Sequence, residues 1–277
     1  MKTAVTIAGA EAKASAFVVW RGFESSIRKA SEYGYDGVEL ALKSADDIHV
    51  PDLRRWLREY QMEVSCITTG QVFADLGLYF THQDADVRKE AIEVFSGLIE
   101  LAGEFGGIVN AGRSRGFVAP GQSREEAEKL FVDTMQKLCD RALARQVQMI
   151  IEPVNRYEIN FINNLDEGAL LLEKVQRTNC GLHADVFHMN IEDDRIGGSL
   201  IRNESWVRYV HFADSNRLAP GMGHLDFKEI MEALGAIGYD GWISVEILPG
   251  DNPDDMARKA INYIKPMIID YNAGMNR

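Results

Sequence analysis

The chain has 277 residues, 46% hydrophobic and 26% charged, a composition that suits a soluble globular protein of one large domain or two small ones. Its formal net charge of -12 argues against a nucleic-acid backbone as the main partner, because phosphate contacts need a basic face. An excess of carboxylates suits small substrates, or a metal cation gathered by acids.

Cys66, Cys139 and Cys180 are odd in number and contain no CxxC, which argues against a disulfide framework or a cysteine zinc site. They fit a reducing cytoplasm. The opening MKTAVTIAGAEAK is interrupted by Glu11 and Lys13 and is too short for a signal peptide. No apolar stretch is long enough to span a membrane. The expected setting is therefore cytoplasmic, with neither membrane nor nucleic acid as a partner.

Short apolar runs alternate with longer amphipathic ones. Ala4–Ala8 reads as a strand, Glu24–Tyr33 as a helix, and Gly37–Leu42 as a strand. Pro51–Tyr60 is a helix opening on proline, and Val64–Thr69 a strand. Asp84–Phe105 has acids early and apolar residues at helical spacing. Gly107–Ala111 is a strand, and Ser123–Arg145 a helix whose Ser-Arg-Glu-Glu start reads as a capping box. Met149–Glu152 is a strand, Asp166–Gln176 a helix, Gly181–Asp185 a strand, and Ile191–Ile201 partly helical. Val207–Ala213 is a strand, and Phe227–Ile237 a helix after Asp226. Trp242–Glu246 is a strand and Pro253–Tyr271 the last helix.

Eight strand–helix units in this order imply a parallel sheet with helices outside. Their number and length predict an α/β fold, a single (β/α)8 TIM barrel spanning residues 1–277. An open doubly wound sheet is the rival. GYDG occurs at Gly34–Gly37 and again at Gly238–Gly241, each time before a strand that carries Val-Glu. Glycine at a helix end supplies the left-handed turn.

A barrel's active site lies at the C-terminal ends of its strands. The fifth strand ends in Glu152, the sixth in Asp185 and the eighth in Glu246, while the seventh holds His211. A carboxylate ending a buried strand is costly unless paired. Three carboxylates and an imidazole on one rim make a mixed oxygen and nitrogen set for one divalent metal, with manganese, magnesium or cobalt favoured over soft-ligand metals. In the loop GRSRGF, Arg113 and Arg115 follow the fourth strand. Arginine matches carboxylate and phosphate geometry, which a sugar acid or sugar phosphate needs and a neutral ketose does not.

These strand ends, with EPVNRYE, DVFHMN and HFADSNR around them, resemble the ketose 3-epimerases of the xylose-isomerase-like barrels, such as D-tagatose and D-psicose 3-epimerases. The likeness covers nearly the whole chain and is densest after Met149. ITTGQ, FTHQDADVRK, NRYEINFIN, ADVFHMNIE and ADSNRLAPGMGHLDF are similar to the subgroup that interconverts 5-keto-L-gluconate and D-tagaturonate.

The resemblance implies that Glu152, Asp185, His211 and Glu246 hold the metal, manganese above all. It implies that Glu152 and Glu246 exchange the proton of the third carbon from opposite faces, through an enediolate. Glu158, His188 and Arg217 match positions that grip the first oxygens of the ketose. A homo-oligomer, dimer or tetramer, is implied too. An aldose–ketose isomerase such as hydroxypyruvate isomerase, and a sugar-phosphate epimerase, remain alternatives. A phosphodiester-cleaving relative would need a basic face, and a non-catalytic sugar-binding barrel would not need two glutamates.

Asn155, Asn163, Asp214 and His224 are expected near the rim, as orienting partners or as loop structure. His183 precedes Asp185 on the same side of its strand and is expected in the barrel core. Trp20, Phe73 and Trp206 are read as cavity walls or as packing. His49 and His82 have no company that suggests chemistry.

Overall fold

The computed structural model describes residues 1–13 and 17–275. Nine strands are formed among them: β1 (Lys2–Ala8), β2 (Trp20–Arg21), β3 (Gly37–Ala41), β4 (Glu63–Thr68), β5 (Ile108–Asn110), β6 (Gln148–Ile151), β7 (Cys180–Asp185), β8 (Val207–Phe212) and β9 (Trp242–Val245). β1 and then β3 to β9 pair in sequence order, all parallel. β9 pairs back onto β1 from Lys2 opposite Trp242 to Val5 opposite Val245. The sheet is thus a closed eight-stranded barrel, which rules out the open sheet. β2 is an appendage at the end of β1, with Ile7 opposite Trp20.

The helices are α1 (Phe23–Tyr33), α2 (Val50–Glu59), α3 (Gly70–Leu76), α4 (Ala85–Glu104), α5 (Arg124–Leu143), α6 (Leu165–Val175), α7 (Val186–Glu192), α8 (Ile196–Arg202), α9 (Phe227–Ala236) and α10 (Pro253–Met275). The capping box forms as expected. Glu126 N–H donates to Ser123 Oγ at 3.1 Å, and Ser123 N–H donates back to Glu126 Oε2 at 2.9 Å. The two GYDG turns behave alike. Gly34 and Gly238 take positive φ of 87° and 64°, which suits residues without a Cβ. Tyr35 and Tyr239 then turn inward, their hydroxyls donating to the carbonyls of Ala257 and Trp242.

Two departures concern short helices. α3 follows β4 in a stretch to which the sequence reading assigns no element. Its seven residues are too few for an apolar period to be read from sequence. The Ile191–Ile201 region divides into α7 and α8. Asp185 caps α7 and starts it earlier, and Asp193 leaves the helix in extended geometry while accepting from Ser199 Oγ.

The main apolar core lies between barrel and helices, where Phe95, Phe131, Leu138, Leu172 and Ile261 are buried. Inside the barrel the packing is more polar. Tyr209 O–H donates to Glu39 Oε2 at 2.9 Å, and its oxygen lies 2.7 Å from Ser65 Oγ. No helix among the described residues is long and apolar enough to cross a membrane.

Candidate active site

Glu152 and Glu246 stand one residue beyond β6 and β9, Asp185 ends β7, and His211 lies on β8. Parallel register brings them together, since Asp185 pairs with His211 across β7 and β8. His211 Nδ1 lies 3.5 Å from Asp185 Oδ2, 3.8 Å from Glu246 Oε2 and 3.9 Å from Glu152 Oε1. One ligand atom from each of the four falls within 4.8 Å of all the others.

The other imidazole nitrogen explains this orientation. His211 Nε2 is 2.7 Å from Glu39 Oε2 on β3, and a carboxylate can only accept, so Nε2 carries the proton. Nδ1 has no hydrogen-bond partner and points at the three carboxylates. Once Nδ1 gives up its proton, this buried imidazole turns a lone pair toward three acids, its far side fixed by a fourth, a set that fits a divalent cation.

The charges support the same reading. Burial, then the charge of Glu246, pushes the Glu152 carboxyl up to about 8. Burial also raises Glu246, although Arg217 opposes it. Asp185 behaves differently: burial works against its charge, but Arg217 beside it holds it well below the usual range. Burial disfavours the His211 cation, yet Glu39 and the other carboxylates raise it well above the ordinary value. Glu152 retaining its proton beside an imidazolium is what an acid cluster adopts when protons stand in for a cation.

A cavity of about 380 Å³ opens above this cluster. Glu152 and Glu246 line it, whereas Asp185 and His211 lie beneath its surface. Glu158, His188 and Arg217 also line it. Arg217 Nη1 donates to Asp185 Oδ2 at 2.8 Å and Nη2 donates to Glu246 Oε2. Its guanidinium lies 4.7 Å from the centre of the Phe187 ring. The Asp214 carboxylate shapes the loop carrying Arg217 by accepting from the N–H groups of Ser215, Gly221 and Leu225.

His188 is held neutral, its pKa driven down to about 3 by burial. Asn155 N–H and Nδ2 approach its Nδ1 at 3.4 and 2.8 Å. The backbone N–H can only donate, so Nδ1 accepts and Nε2 presents its proton. The same Asn155 Nδ2 donates to Glu158 Oε1 at 3.1 Å. Glu158 makes no ion pair with Arg156, whose guanidinium is bound by Glu192.

One expectation needs correction. Arg115 is not brought to the cavity. Its fully buried guanidinium donates to the carbonyls of Gly112, Phe161 and Ile162 and braces the loop after β6. Burial lowers its pKa to about 10. Arg113 lines the cavity in its place, its guanidinium 5.5 Å from the centre of the Phe73 ring. A single 3₁₀ turn, Arg113–Arg115, sends the two side chains to different sides.

Sequence reasoning missed Glu39 and Asn110, whose Nδ2 donates to Glu152 Oε2 at 2.9 Å. A signal for Glu39 existed, because it is the glutamate of the first GYDG-Val-Glu repeat and Glu246 belongs to the second. Asn163 serves loop structure, donating to the carbonyls of Val154 and Ile159. His224 bonds Ser215. Trp20 donates to Asp254. Phe17 and Phe187 wall the cavity, while Trp20, Phe73 and Trp206 do not.

Known proteins share this arrangement of chain. An L-ribulose 3-epimerase from Methylomonas sp. (strain DH-1) is 30% identical over 264 residues, 88% of this chain and 91% of that protein. A ketose 3-epimerase from Arthrobacter globiformis is 29% identical over 234 residues, 81% of this chain and 77% of its own. The crystal structure of a D-allulose 3-epimerase from Methylomonas sp. in complex with D-allulose superposes with a TM-score of 0.83 at 27% identity, covering 96% of this chain and 97% of that one. The description "Xylose isomerase-like TIM barrel" matches residues 27–267, and with the closed barrel seen here it establishes that the chain belongs to that family.

Proposed function

We propose that this protein is a carbohydrate epimerase, dependent on a divalent metal, that inverts the third carbon of a ketose or keto sugar acid, next to its carbonyl. The observation that carries this is the division of the cluster. Of four acid or imidazole groups around one point, only Glu152 and Glu246 reach the cavity, and they flank the same imidazole. The names of the relatives, ketose and L-ribulose 3-epimerases, agree with it.

Inverting a carbon needs a base on one face and an acid on the other. Glu152 and Glu246 are the two carboxylates of the cluster that reach the cavity, so each is placed to take or deliver a proton there. One carboxylate takes the proton from the third carbon, leaving an enediolate. The other delivers a proton to the opposite face, and the two exchange roles in reverse. His188 donates from Nε2 to a substrate oxygen that gains charge, Arg217 does the same from its guanidinium, and Glu158 accepts from a substrate hydroxyl. Glu152, Asp185, His211 and Glu246 would hold the cation, which would supply Lewis-acid polarisation of the carbonyl. Their oxygen-rich set suits manganese first, with magnesium or cobalt as substitutes.

The cavity wall favours the keto acid. Arg113 has no ion-pair partner among the described residues, whereas Arg217 is taken by Asp185 and Glu246. Its uncommitted guanidinium suits a substrate carboxylate.

The test is proton exchange in heavy water with manganese-loaded protein and fructose, tagatose, hydroxypyruvate, 5-keto-gluconate and tagaturonate. NMR should show deuterium entering at the third carbon with the epimer appearing. An aldehyde product would replace this reading with an aldose–ketose isomerase. Absence of exchange in every substrate, with metal bound, would overturn it.

A further inference from the structure

His183 is the least satisfied polar side chain near the site. It is fully buried, and neither ring nitrogen has a hydrogen-bond partner. Such a group carries a desolvation cost that requires an explanation. The other two buried histidines differ, since His188 is bonded by Asn155 and His211 by Glu39. His183 lies two residues before Asp185 on β7, on the same side of the strand and roughly 6–7 Å deeper in the barrel.

Its neighbours are ligand groups. His183 Nδ1 lies 3.9 Å from Glu152 Oε2, and its ring stands edge-on to His211 with centroids 3.9 Å apart. Glu152, His183 and His211 each offer a ligand atom within 4.8 Å of the others, and all three residues are buried. Glu152 faces both ways. Oε1 approaches His211 Nδ1 in the upper cluster, while Oε2 approaches His183.

We propose that Glu152, His183 and His211 form a second cation position beneath the substrate cavity, richer in nitrogen than the upper one. Two imidazoles and one carboxylate suit zinc(II) or copper(II), whereas the upper set of three carboxylates and one imidazole suits manganese or magnesium. His211 Nδ1 has a single lone pair, so the positions cannot be filled together. Neither His183 nor His211 lines the cavity. An ion in the lower position sits away from substrate and removes His211 and Glu152 from the upper site. Zinc and copper are therefore inhibitors that compete with manganese. The inference rests on the proposed metal dependence only through these two shared ligands.

Copper(II) is the probe. One equivalent is added to chelator-treated full-length protein, and pulsed EPR counts the imidazole nitrogens bound to it. Two are expected in the wild type, and one in both His183→Gln and His183→Leu. Manganese affinity in the two variants should stay within about 3-fold of wild type, which also reports that they fold. Zinc inhibition should weaken by about 10-fold or more in the leucine variant. One imidazole in the wild type overturns the proposal. So do two that persist in both variants, which would assign the second nitrogen to His188. Loss of manganese binding in both folded variants would also overturn it, because His183 would then belong to the upper site. Failure of the wild type to bind manganese would instead refute the proposed metal dependence, and the copper count would still decide the lower position.

Discussion

Glu39 and His211 are joined inside the barrel by a contact of 2.7 Å between Oε2 and Nε2, although 172 residues separate them. The same Oε2 accepts from Tyr209 O–H at 2.9 Å. The carboxylate thus sets the tautomer of His211 and aims Nδ1 at Asp185, Glu152 and Glu246. Glu39→Gln replaces a charged acceptor with a neutral one, and Glu39→Ala removes it. Manganese affinity is expected to fall about 10–100-fold in each, measured by manganese EPR titration. Unchanged affinity in the alanine variant would show that the imidazole is oriented by other contacts.

Glu246→Gln tests whether the proposed metal-holding and proton-moving roles of this carboxylate can be separated. An amide oxygen still coordinates, but it is a poor base. Manganese should bind with reduced affinity while deuterium exchange at the third carbon falls about 10²–10⁴-fold. Exchange at the wild-type rate would remove Glu246 from the acid–base pair.

Arg113→Leu tests the proposal that the substrate carries a carboxylate. A hydrogen bond to a charged group is worth about 1.5–3 kcal/mol, so kcat/KM for keto sugar acids should fall roughly 10–100-fold. Neutral ketoses should change by less than about 3-fold. Equal losses for both classes would mean that Arg113 supports the cavity wall without reading charge.

The pH dependence of the metal-free protein follows from three groups. Glu152, raised from 4.5 to about 8 by burial and Glu246, binds its proton more tightly when folded. Its contribution is complete below pH 4.5 and is lost as pH rises toward 8. His211 is raised despite burial, through Glu39 first, so its contribution is lost as pH climbs beyond 6.5. His188, depressed by burial to about 3, acts oppositely, stabilising above 6.5 and losing that as pH falls toward 3. Between pH 6.5 and 8 the first two prevail. The Tm of chelator-treated protein should fall across that window. A Tm that rises would show Glu152 already ionised in the folded state.

Metal addition should reverse that trend, because the cation replaces the retained protons. Binding of manganese at pH 7 should release about one proton or more, read from calorimetric titrations in two buffers of different ionisation enthalpy. Uptake of protons, or no transfer, would contradict protonated carboxyls in the metal-free cluster.

The strands were legible because each is a short apolar run closed by a different residue type. Glu152, Asp185 and Glu246 stood out because an acid ending such a run is costly unless paired. The helix starts at Ser123 and Asp226 were legible because capping is a local interaction, settled within four residues. α3 and the split between α7 and α8 were not, since helices of seven residues carry too little periodicity.

By itself, then, the sequence determined the order of elements, the barrel they imply and the acids and imidazole at the rim. These depend on local propensity and on the period of apolar residues. Only the tertiary structure decided that Arg113 faces the cavity while Arg115, two positions on, is spent on three carbonyls. Only it joined Glu39 to His211, left His183 without partners, and separated the two glutamates that reach the cavity from the aspartate and histidine beneath it. Those outcomes depend on the direction of side chains across the closed barrel, between residues far apart in the chain, and no local pattern encodes that direction.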